Sequence, residues 1–325
     1  MKKREIPPSG GRCQQLPVAK RVLLRIPRFS SQPRQCYNKV MRIAIIGLGL
    51  IGGSIGLSLR QSGWQQTEIV GYARCQEVGS LALKLGAVDK IESSLQKTVS
   101  GANIVVIATP VLTIKDIFAE IADYLCTGSI VTDTASTKSQ VMRWAETLLP
   151  KKTSFIGGHP MAGKEVSGIS MARADLFQNC AYCLTPALQI TRTAVETVEE
   201  MVRRLGAVPL TIDAQQHDNL VAGISHLPLL LSVALVLATT KHPSWQQMSR
   251  LAASGYRDAT RLASGNSEVN AHICFTNQDA IVSWITLFCD ELQGLRELIA
   301  NGNYNKIEEA LSLARKARQE WLESH

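Results

Sequence analysis

A histidine directly follows an apolar run in the segment Gly-Gly-His-Pro-Met-Ala-Gly, which begins at residue 157. The run before it, 154–157, has the short apolar character of a buried strand. Histidine titrates near physiological pH, so His159 at the end of this strand is a candidate general base. Ser136 follows an earlier apolar run, and its spacing alone is more typical of a helix N-cap than of a catalytic group.

Three glycines form a Gly-x-Gly-x-x-Gly motif between an apolar run over 42–46 and a helix predicted over 54–61. In this context the first glycine permits a tight turn, the second lets a pyrophosphate approach the backbone, and the third lets helix and strand pack closely. The helix N-terminus supplies free amides to the anion. The predicted cofactor-binding residues of this loop are Gly47, Leu48, Gly49, Leu50, Ile51 and Gly52.

The end of the next predicted strand, 68–72, bears on the choice between NAD and NADP. An NAD-binding chain carries an acid there that holds the ribose hydroxyls, but this position is Ala73. Arg74 follows it and offers a cation to a 2′-phosphate. The segment therefore favours NADP, with NAD as the alternative if Arg74 is only a solvated loop residue.

These candidates require a sheet that brings the ends of several strands together. Short apolar runs at 42–46, 68–72, 104–108, 129–132 and 154–157 alternate with helix-like stretches. The alternation predicts an α/β domain over 41–213 with a Rossmann-like, doubly wound parallel sheet. Ligands bind at the carboxyl ends of such strands, which adds Thr109 and Pro110 to the predicted cofactor-binding residues.

Strand patterns stop near residue 213, and four helical stretches are predicted near 215–240, 245–263, 267–301 and 303–324. The part from 214 to 325 is therefore expected to be an all-helical domain. Its Leu, Ile and Val content exceeds what four short helices can bury, and pairing two copies would cover the surplus. We expect a homodimer through this domain and no membrane span, because the apolar window 221–240 contains His226 and Pro228.

The formal net charge of +8 is concentrated at one end of the 325-residue chain. Residues 1–40 hold ten of the 35 Lys and Arg residues and one acid, and the rest carries 25 basic and 26 acidic residues. A nearly neutral body argues against nucleic acid as a partner. Residues 1–40 are predicted to be a disordered basic extension, with an organelle-targeting peptide as the alternative.

Eight cysteines are scattered through the chain with no signal-peptide pattern before them, which predicts reduced thiols and a cytoplasmic location. Cys180 and Cys183 have the spacing of half a zinc site, yet no second Cys or His pair stands at ligand spacing. A strand predicted over 180–185 would send the two thiols to opposite faces. No metal site is therefore predicted.

Five motifs occur in order: Gly-Leu-Gly-Leu-Ile-Gly-Gly-Ser from 47, Thr-Asp-x-x-Ser-x-Lys from 132, Gly-Gly-His-Pro-Met-Ala-Gly from 157, Ile-Ser-His-Leu-Pro from 224 and Gly-Tyr-Arg-Asp-Ala-Thr-Arg from 255. Together they resemble the prephenate and arogenate dehydrogenase family of tyrosine biosynthesis. The resemblance implies oxidative decarboxylation of a cyclohexadienol with hydride transfer to a nicotinamide. It also implies a dimer joined through the helical domains.

The resemblance assigns roles to individual residues. His159 corresponds to the catalytic histidine that accepts the substrate hydroxyl proton, and Ser136 to the serine that binds this hydroxyl or orients the imidazole. Arg257 corresponds to the ligand of the substrate carboxylate, a task that suits a planar fork of donors. The other predicted substrate-binding residues are His226, Asp218 as its neighbour two helical turns earlier, Glu165, and Lys138, which is placed near cofactor or substrate.

The compact chain with an Arg after the second strand resembles NADP-dependent arogenate enzymes more than NAD-dependent prephenate enzymes. Arogenate is therefore the expected substrate and prephenate the alternative. A β-hydroxyacid dehydrogenase is a competing enzyme class, but such enzymes rely on a lysine of the helical part, where this chain supplies His226 and Arg257. A dinucleotide sensor without catalysis would not need His159 and Ser136 together.

Overall fold

The computed structural model describes residues 40–64, 66–162 and 166–324. The predicted basic extension over 1–40 therefore lies outside the described residues, apart from Val40, and so does the predicted substrate-binding residue Glu165.

Within the described ranges, eight strands form one sheet in the order β3-β2-β1-β4-β5-β6-β7-β8. Neighbouring strands pair in parallel except β6 and β7, which are antiparallel. The predicted Rossmann-like sheet is confirmed, but the sequence patterns did not indicate the short β3, the edge strand β8 or the reversal at β7. The strands are β1 (Met41–Ile46), β2 (Thr67–Tyr72), β3 (Lys90–Ile91), β4 (Ile104–Ile107), β5 (Ile130–Asp133), β6 (Ser154–Pro160), β7 (Ala181–Pro186) and β8 (Val208–Thr211).

Helices cover both faces of this sheet. Alternate residues of β1 point to opposite sides, so Ile43 and Ile45 belong to one buried cluster and Ala44 and Ile46 to the other. A strand that is covered on both faces reads as a continuous apolar run, as the sequence of β1 does. The covering helices are α1 (Leu50–Gln61), α2 (Gln76–Lys84), α3 (Leu95–Val99), α4 (Ile114–Ile121), α5 (Ser139–Leu148) and α6 (Arg192–Arg204).

The chain after β8 is helical, as predicted, with more breaks than the sequence indicated. The breaks fall after residue 221, at 252–253, at 261–266 and at Asn277. The helices are α7 (Ala214–Val221), α8 (Leu227–Thr240), α9 (Trp245–Leu251), α10 (Ser254–Thr260), α11 (Ser267–Thr276), α12 (Gln278–Ala300) and α13 (Tyr304–Glu323).

A π-helical turn over Ala222–His226 joins α7 to α8. Pro228 stands in the first turn of α8 and has no amide hydrogen to donate, so the α-helical hydrogen-bond ladder cannot continue through it. The π turn replaces the ladder at this point. The predicted single helix over 215–240 is therefore two helices, with His226 at their junction.

The helical part exposes a large apolar surface. Leu237 of α8, Leu287 of α12 and Leu313 of α13 are 47%, 56% and 69% exposed. Among the described residues, the stretch Ala214–Thr240 is long and apolar enough to cross a membrane by length and composition alone. The same stretch carries buried His217, Asp218 and His226.

Candidate active site

The glycine motif forms the turn from β1 into α1. Gly47 has a φ of +95°, and a Cβ there would lie 2.6 Å from the carbonyl oxygen of Ala108. A Cβ on Gly52 would lie 2.0 Å from the carbonyl oxygen of Gly47, so the helix can approach the strand only without a side chain. A Cβ on Gly49 would meet nothing within 4 Å, and no side chain caps the helix that follows. The turn therefore leaves open helical amides, which is the geometry that a pyrophosphate requires.

A cavity of about 550 Å³ opens beside this turn. Its walls include the ends of β1, β2 and β4 and residues of α4. Leu50, Ile51 and Gly52 do not line it; Leu50 and Gly52 are buried, and Ile51 packs against the core. The predicted cofactor residues that line the cavity are Gly47, Leu48, Gly49, Arg74, Thr109 and Pro110. The open turn and the cavity fit a dinucleotide.

His159 is the last residue but one of β6, and its ring contacts a second histidine. Its Nδ1 lies 2.9 Å from Nε2 of His217, and Nδ1 of His217 lies 2.8 Å from Oδ1 of Asp218. All three side chains are buried, with His159 9% exposed. The strands β1, β4, β5 and β6 are parallel neighbours, so His159 lies at the same edge of the sheet as the glycine turn.

Asp218 connects the two parts of the fold through main-chain amides. Its carboxylate accepts hydrogen bonds from the amides of Lys138 and Ser139, at 2.7 and 2.8 Å, where α5 begins. Burial opposes the charged form, but the hydrogen bonds from His217, Ser139 and Lys138 lower the pKa of Asp218. The carboxylate is therefore ionised at neutral pH and committed to protein donors, which differs from the predicted contact with substrate.

Burial favours the neutral form of both His159 and His226. Burial, followed by the influence of His217, Lys138 and His226, holds the pKa of His159 well below its ordinary value. Burial also lowers the pKa of His226 to about 4, although Asp218 acts in the opposite direction. A neutral imidazole keeps one nitrogen lone pair, which a general base needs.

Lys138 is fully buried and its ammonium is bound by protein groups. It forms an ion pair with Asp133 and donates to the carbonyl oxygen of Gly158 at 2.6 Å. Asp133 also accepts from the amides of Gly158 and Ala135, at 3.0 and 2.9 Å. The predicted contact of Lys138 with cofactor or substrate is revised accordingly, because the ammonium joins the loop after β5 to strand β6.

The loop that carries Ser136 is fixed from three sides. The Asp133 side chain binds the amide of Ala135, Asp218 binds that of Lys138, and the hydroxyl of Thr137 lies 2.8 Å from that of Thr276 in α11. Ser136 itself is half-buried. The loop that carries Ser136 is therefore fixed relative to strand β6, which carries His159.

His226 stands at the end of the π turn and is 2% exposed. The amide of Asn277 donates to Nδ1 of His226 at 3.2 Å and to the carbonyl oxygen of Asp218 at 2.8 Å. Asp218 and His226 are therefore neighbours, as the helical spacing predicts. The side-chain amide of Asn277 bridges the two residues. With Nδ1 accepting, Nε2 of neutral His226 is a donor, and it has no partner among the described residues.

Two family models match consecutive parts of the chain. Residues 55–210 match the nucleotide-binding domain of prephenate dehydrogenase, and residues 213–313 match its dimerization domain. Prephenate dehydrogenase of Bacillus subtilis (strain 168) is 34% identical over 259 residues, which cover 79% of this chain and 70% of that protein. The chain belongs to the prephenate dehydrogenase family.

Solved structures of this family have the same fold. Synechocystis arogenate dehydrogenase is 31% identical, with a TM-score of 0.75 over 86% of this chain and 100% of that chain. Prephenate dehydrogenase of A. aeolicus, in complex with hydroxyphenyl propionate and NAD+, is 28% identical, with a TM-score of 0.81 over 88% of this chain and 99% of that chain.

The predicted carboxylate ligand, Arg257, lies in the helical part of the chain. It lies in α10, which packs against α8 and the turn Arg261–Ser264, and it is exposed. In the described part of the chain, no hydrogen bond or ion pair of its guanidinium joins it to His159 or His226. Hydrogen bonds therefore connect His159, Asp218 and His226 with the loop that carries Ser136, and Arg257 is not part of this network among the described residues.

Sequence patterns did not indicate His217, the histidine between His159 and Asp218. His217 precedes Asp218 in the first turns of α7, a helix capped by the Asp213 side chain. The dipeptide His217-Asp218 was the available signal, because a buried histidine beside a buried acid needs a hydrogen-bond partner. Asn277 carried no signal, since only the fold brings it to His226.

Proposed function

We propose that this chain oxidatively decarboxylates arogenate to tyrosine with NADP as the hydride acceptor, and that His159 is the general base. The observation that carries the proposal is the neutral, buried imidazole of His159 at the sheet edge that also holds the glycine turn. Membership of the prephenate dehydrogenase family supports the reaction class. The chemistry requires one group that takes a hydroxyl proton beside a nicotinamide, and His159 meets that requirement.

The substrate ring carries a hydroxyl opposite a carboxylate. Nε2 of His159 accepts the hydroxyl proton as hydride leaves the same carbon, and the carboxylate departs as CO2. The electron pair of the broken carbon–carbon bond enters the ring, which becomes aromatic, and the phenolate oxygen recovers a proton from His159. A bound nicotinamide supplies the hydride acceptor. The protein mainly positions the reacting groups and polarises the O–H bond.

Besides His159, four residues act on the substrate, three of them among the described residues. Ser136, on its fixed loop, donates to or accepts from the reacting hydroxyl. The donor at Nε2 of His226, which has no partner among the described residues, binds an acceptor group of the substrate. Arg257 binds the substrate carboxylate, although it is exposed in a single copy of the chain. Glu165, outside the described residues, takes part in substrate selection.

The choice of NADP rests on the end of β2. Ala73 stands where NAD-binding sheets carry an acid, and Arg74 lies in the wall of the cavity beside the glycine turn. A guanidinium there supports binding of a 2′-phosphate. NAD is the alternative, and a relative from A. aeolicus has NAD+ bound.

Steady-state kinetics with arogenate and prephenate, each crossed with NADP and NAD, tests both choices. The expected result is the highest kcat/KM with arogenate and NADP. A preference for prephenate would assign this chain to the function named for the relative of Bacillus subtilis. No reduction of either dinucleotide with either substrate would refute the proposed reaction.

We also propose a homodimer through the helical domain, 214–325, that acts in the cytoplasm without nucleic acid or membrane as a partner. The description of the matched C-terminal region as a dimerization domain supports it, as do the exposed leucines of α8, α12 and α13. The cysteines in the described part of the chain are free, which suits a reducing compartment. Sedimentation of the full chain and of a chain starting at Met41 should show dimers; an active monomer from either would refute it.

A further inference from the structure

We propose that His217 and Asp218 are positioning residues that fix the tautomer of His159, so that its Nε2 carries the lone pair. This inference rests on the proposed role of His159 as base. It assigns a function to His217 and replaces the predicted contact of Asp218 with substrate. The three side chains form one line of hydrogen bonds that starts at the amides of α5 and ends at β6.

The tautomer follows from Asp218. An ionised carboxylate only accepts hydrogen bonds, so the bond of 2.8 Å between Oδ1 of Asp218 and Nδ1 of His217 places a hydrogen on that nitrogen. With this hydrogen as its only ring hydrogen, His217 has an unprotonated Nε2, which can only accept. The bond of 2.9 Å to His159 therefore places a hydrogen on Nδ1 of His159. Neutral His159 is left with an unprotonated Nε2.

The orientation of the carboxylate is itself fixed. Both of its oxygens accept from main-chain amides, Oδ1 from Lys138 and Oδ2 from Ser139. The side chain cannot rotate away from His217 without breaking one of these bonds, which costs free energy. The N-terminal end of α5 therefore aligns the carboxylate, the carboxylate aligns His217, and His217 aligns the base.

The same line of hydrogen bonds stabilises the positive charge that forms on His159 during turnover. When Nε2 of His159 takes a proton, its ring becomes a cation among other charged and titratable groups, namely Lys138, His217 and His226. The cation of His159 can share its Nδ1 proton with His217, whose other nitrogen faces the negative Asp218. Asp218 thus offsets the unfavourable effect of the buried ammonium of Lys138.

The experiment compares His217→Leu with His217→Gln, and uses His242→Leu, an exposed histidine, as the control. The side-chain oxygen of Gln can accept from Nδ1 of His159, whereas Leu cannot. We expect His217→Leu to lower kcat by about 10- to 100-fold with little change in KM, and to shift the acid limb of the pH profile. His217→Gln should recover most of kcat. Equal kcat in both variants, or loss of kcat only in proportion to loss of folded protein, would overturn the inference.

A second readout does not depend on turnover. Nitrogen-15 NMR of histidine-labelled protein distinguishes protonated from unprotonated ring nitrogens. We expect wild-type His159 to carry its hydrogen on Nδ1, and His217→Leu to give a mixture of tautomers. A hydrogen on Nε2 of His159 in the wild type would overturn the inference even if the enzyme turns over. Absence of turnover with the expected tautomer would instead refute the proposed function and leave the hydrogen-bond assignment intact.

Discussion

Lys138 forms an ion pair with Asp133 in which both side chains are fully buried. Two buried opposite charges hold the loop after β5 against strand β6, because both groups also bond to the main chain of Gly158. The pair therefore fixes the distance between the loop of Ser136 and the strand of His159.

Replacing Lys138 by Met should destabilise the protein by about 3 to 5 kcal/mol, because it leaves the carboxylate of Asp133 buried without its counter-ion. The measurement is urea unfolding at a fixed protein concentration. Lys152→Met, at an exposed position, is the matched control and should change little. A loss below about 1 kcal/mol for Lys138→Met would show that the pair does not support the fold.

Acidification should destabilise the protein between about pH 6.5 and pH 4. Burial lowers the pKa of His226 to about 4, so the unfolded chain binds a proton at a higher pH than the folded chain does. The contribution is fully present above the unfolded pKa and is lost as the pH falls through the folded one. It amounts to about 3 kcal/mol for His226, and the lowered pKa of His159 acts in the same direction.

Melting temperatures measured across this pH range test the linkage. His226→Gln should flatten the curve, and His242→Gln, at an exposed histidine, should leave it unchanged. Parallel curves for the wild type and His226→Gln would mean that His226 is not held neutral by burial.

Much of this site follows from the sequence because it is local. The turn at Gly47, the open position of Gly49 and the close packing at Gly52 are properties of a short segment, and the structure has all three. His159 follows a strand pattern, so its place at the carboxyl end of β6 was also predictable. Pairing with β7 extends that strand to Pro160 and so includes His159 in it.

The remaining features depend on contacts between distant segments. Lys138 and Asp218 are 80 residues apart, and only the fold shows that the carboxylate binds the start of α5. Lysine is usually a surface residue, so the sequence does not indicate that Lys138 is buried. Its burial depends on the carboxylate of Asp133, which is buried beside it. The role of Asn277 also depends on the fold, because its side-chain amide binds Asp218 and His226, which are 59 and 51 residues away in the sequence.

Removal of the Arg257 guanidinium should weaken substrate binding more than turnover. Arg257→Ala should raise KM for the substrate and change kcat less, because the carboxylate contact exists before and during the reaction. Arg257→Lys should recover only part of the affinity, since an ammonium lacks the planar fork. Arg250→Ala, at an exposed position of α9, is the control. An unchanged KM in Arg257→Ala would remove this residue from the substrate site.

The cofactor preference should move toward NAD when the end of β2 is changed. The double substitution Ala73→Asp with Arg74→Ser removes the cation and restores an acceptor for the ribose hydroxyls. The ratio of kcat/KM for NADP to that for NAD should fall by at least about tenfold, the size of one charge-assisted hydrogen bond. Arg74→Lys keeps the charge and should retain the preference for NADP. A wild type that already prefers NAD would contradict the assignment of Arg74.

The most direct test is the turnover of His159→Asn with the substrate and dinucleotide that the wild type prefers, measured beside dinucleotide binding. Asn cannot accept the hydroxyl proton as a base, so kcat should fall by about 100-fold or more while dinucleotide affinity stays near the wild-type value. His242→Asn, outside the cluster, should keep wild-type kinetics. Near-normal kcat in His159→Asn would contradict the role of His159 as the base of this oxidative decarboxylation.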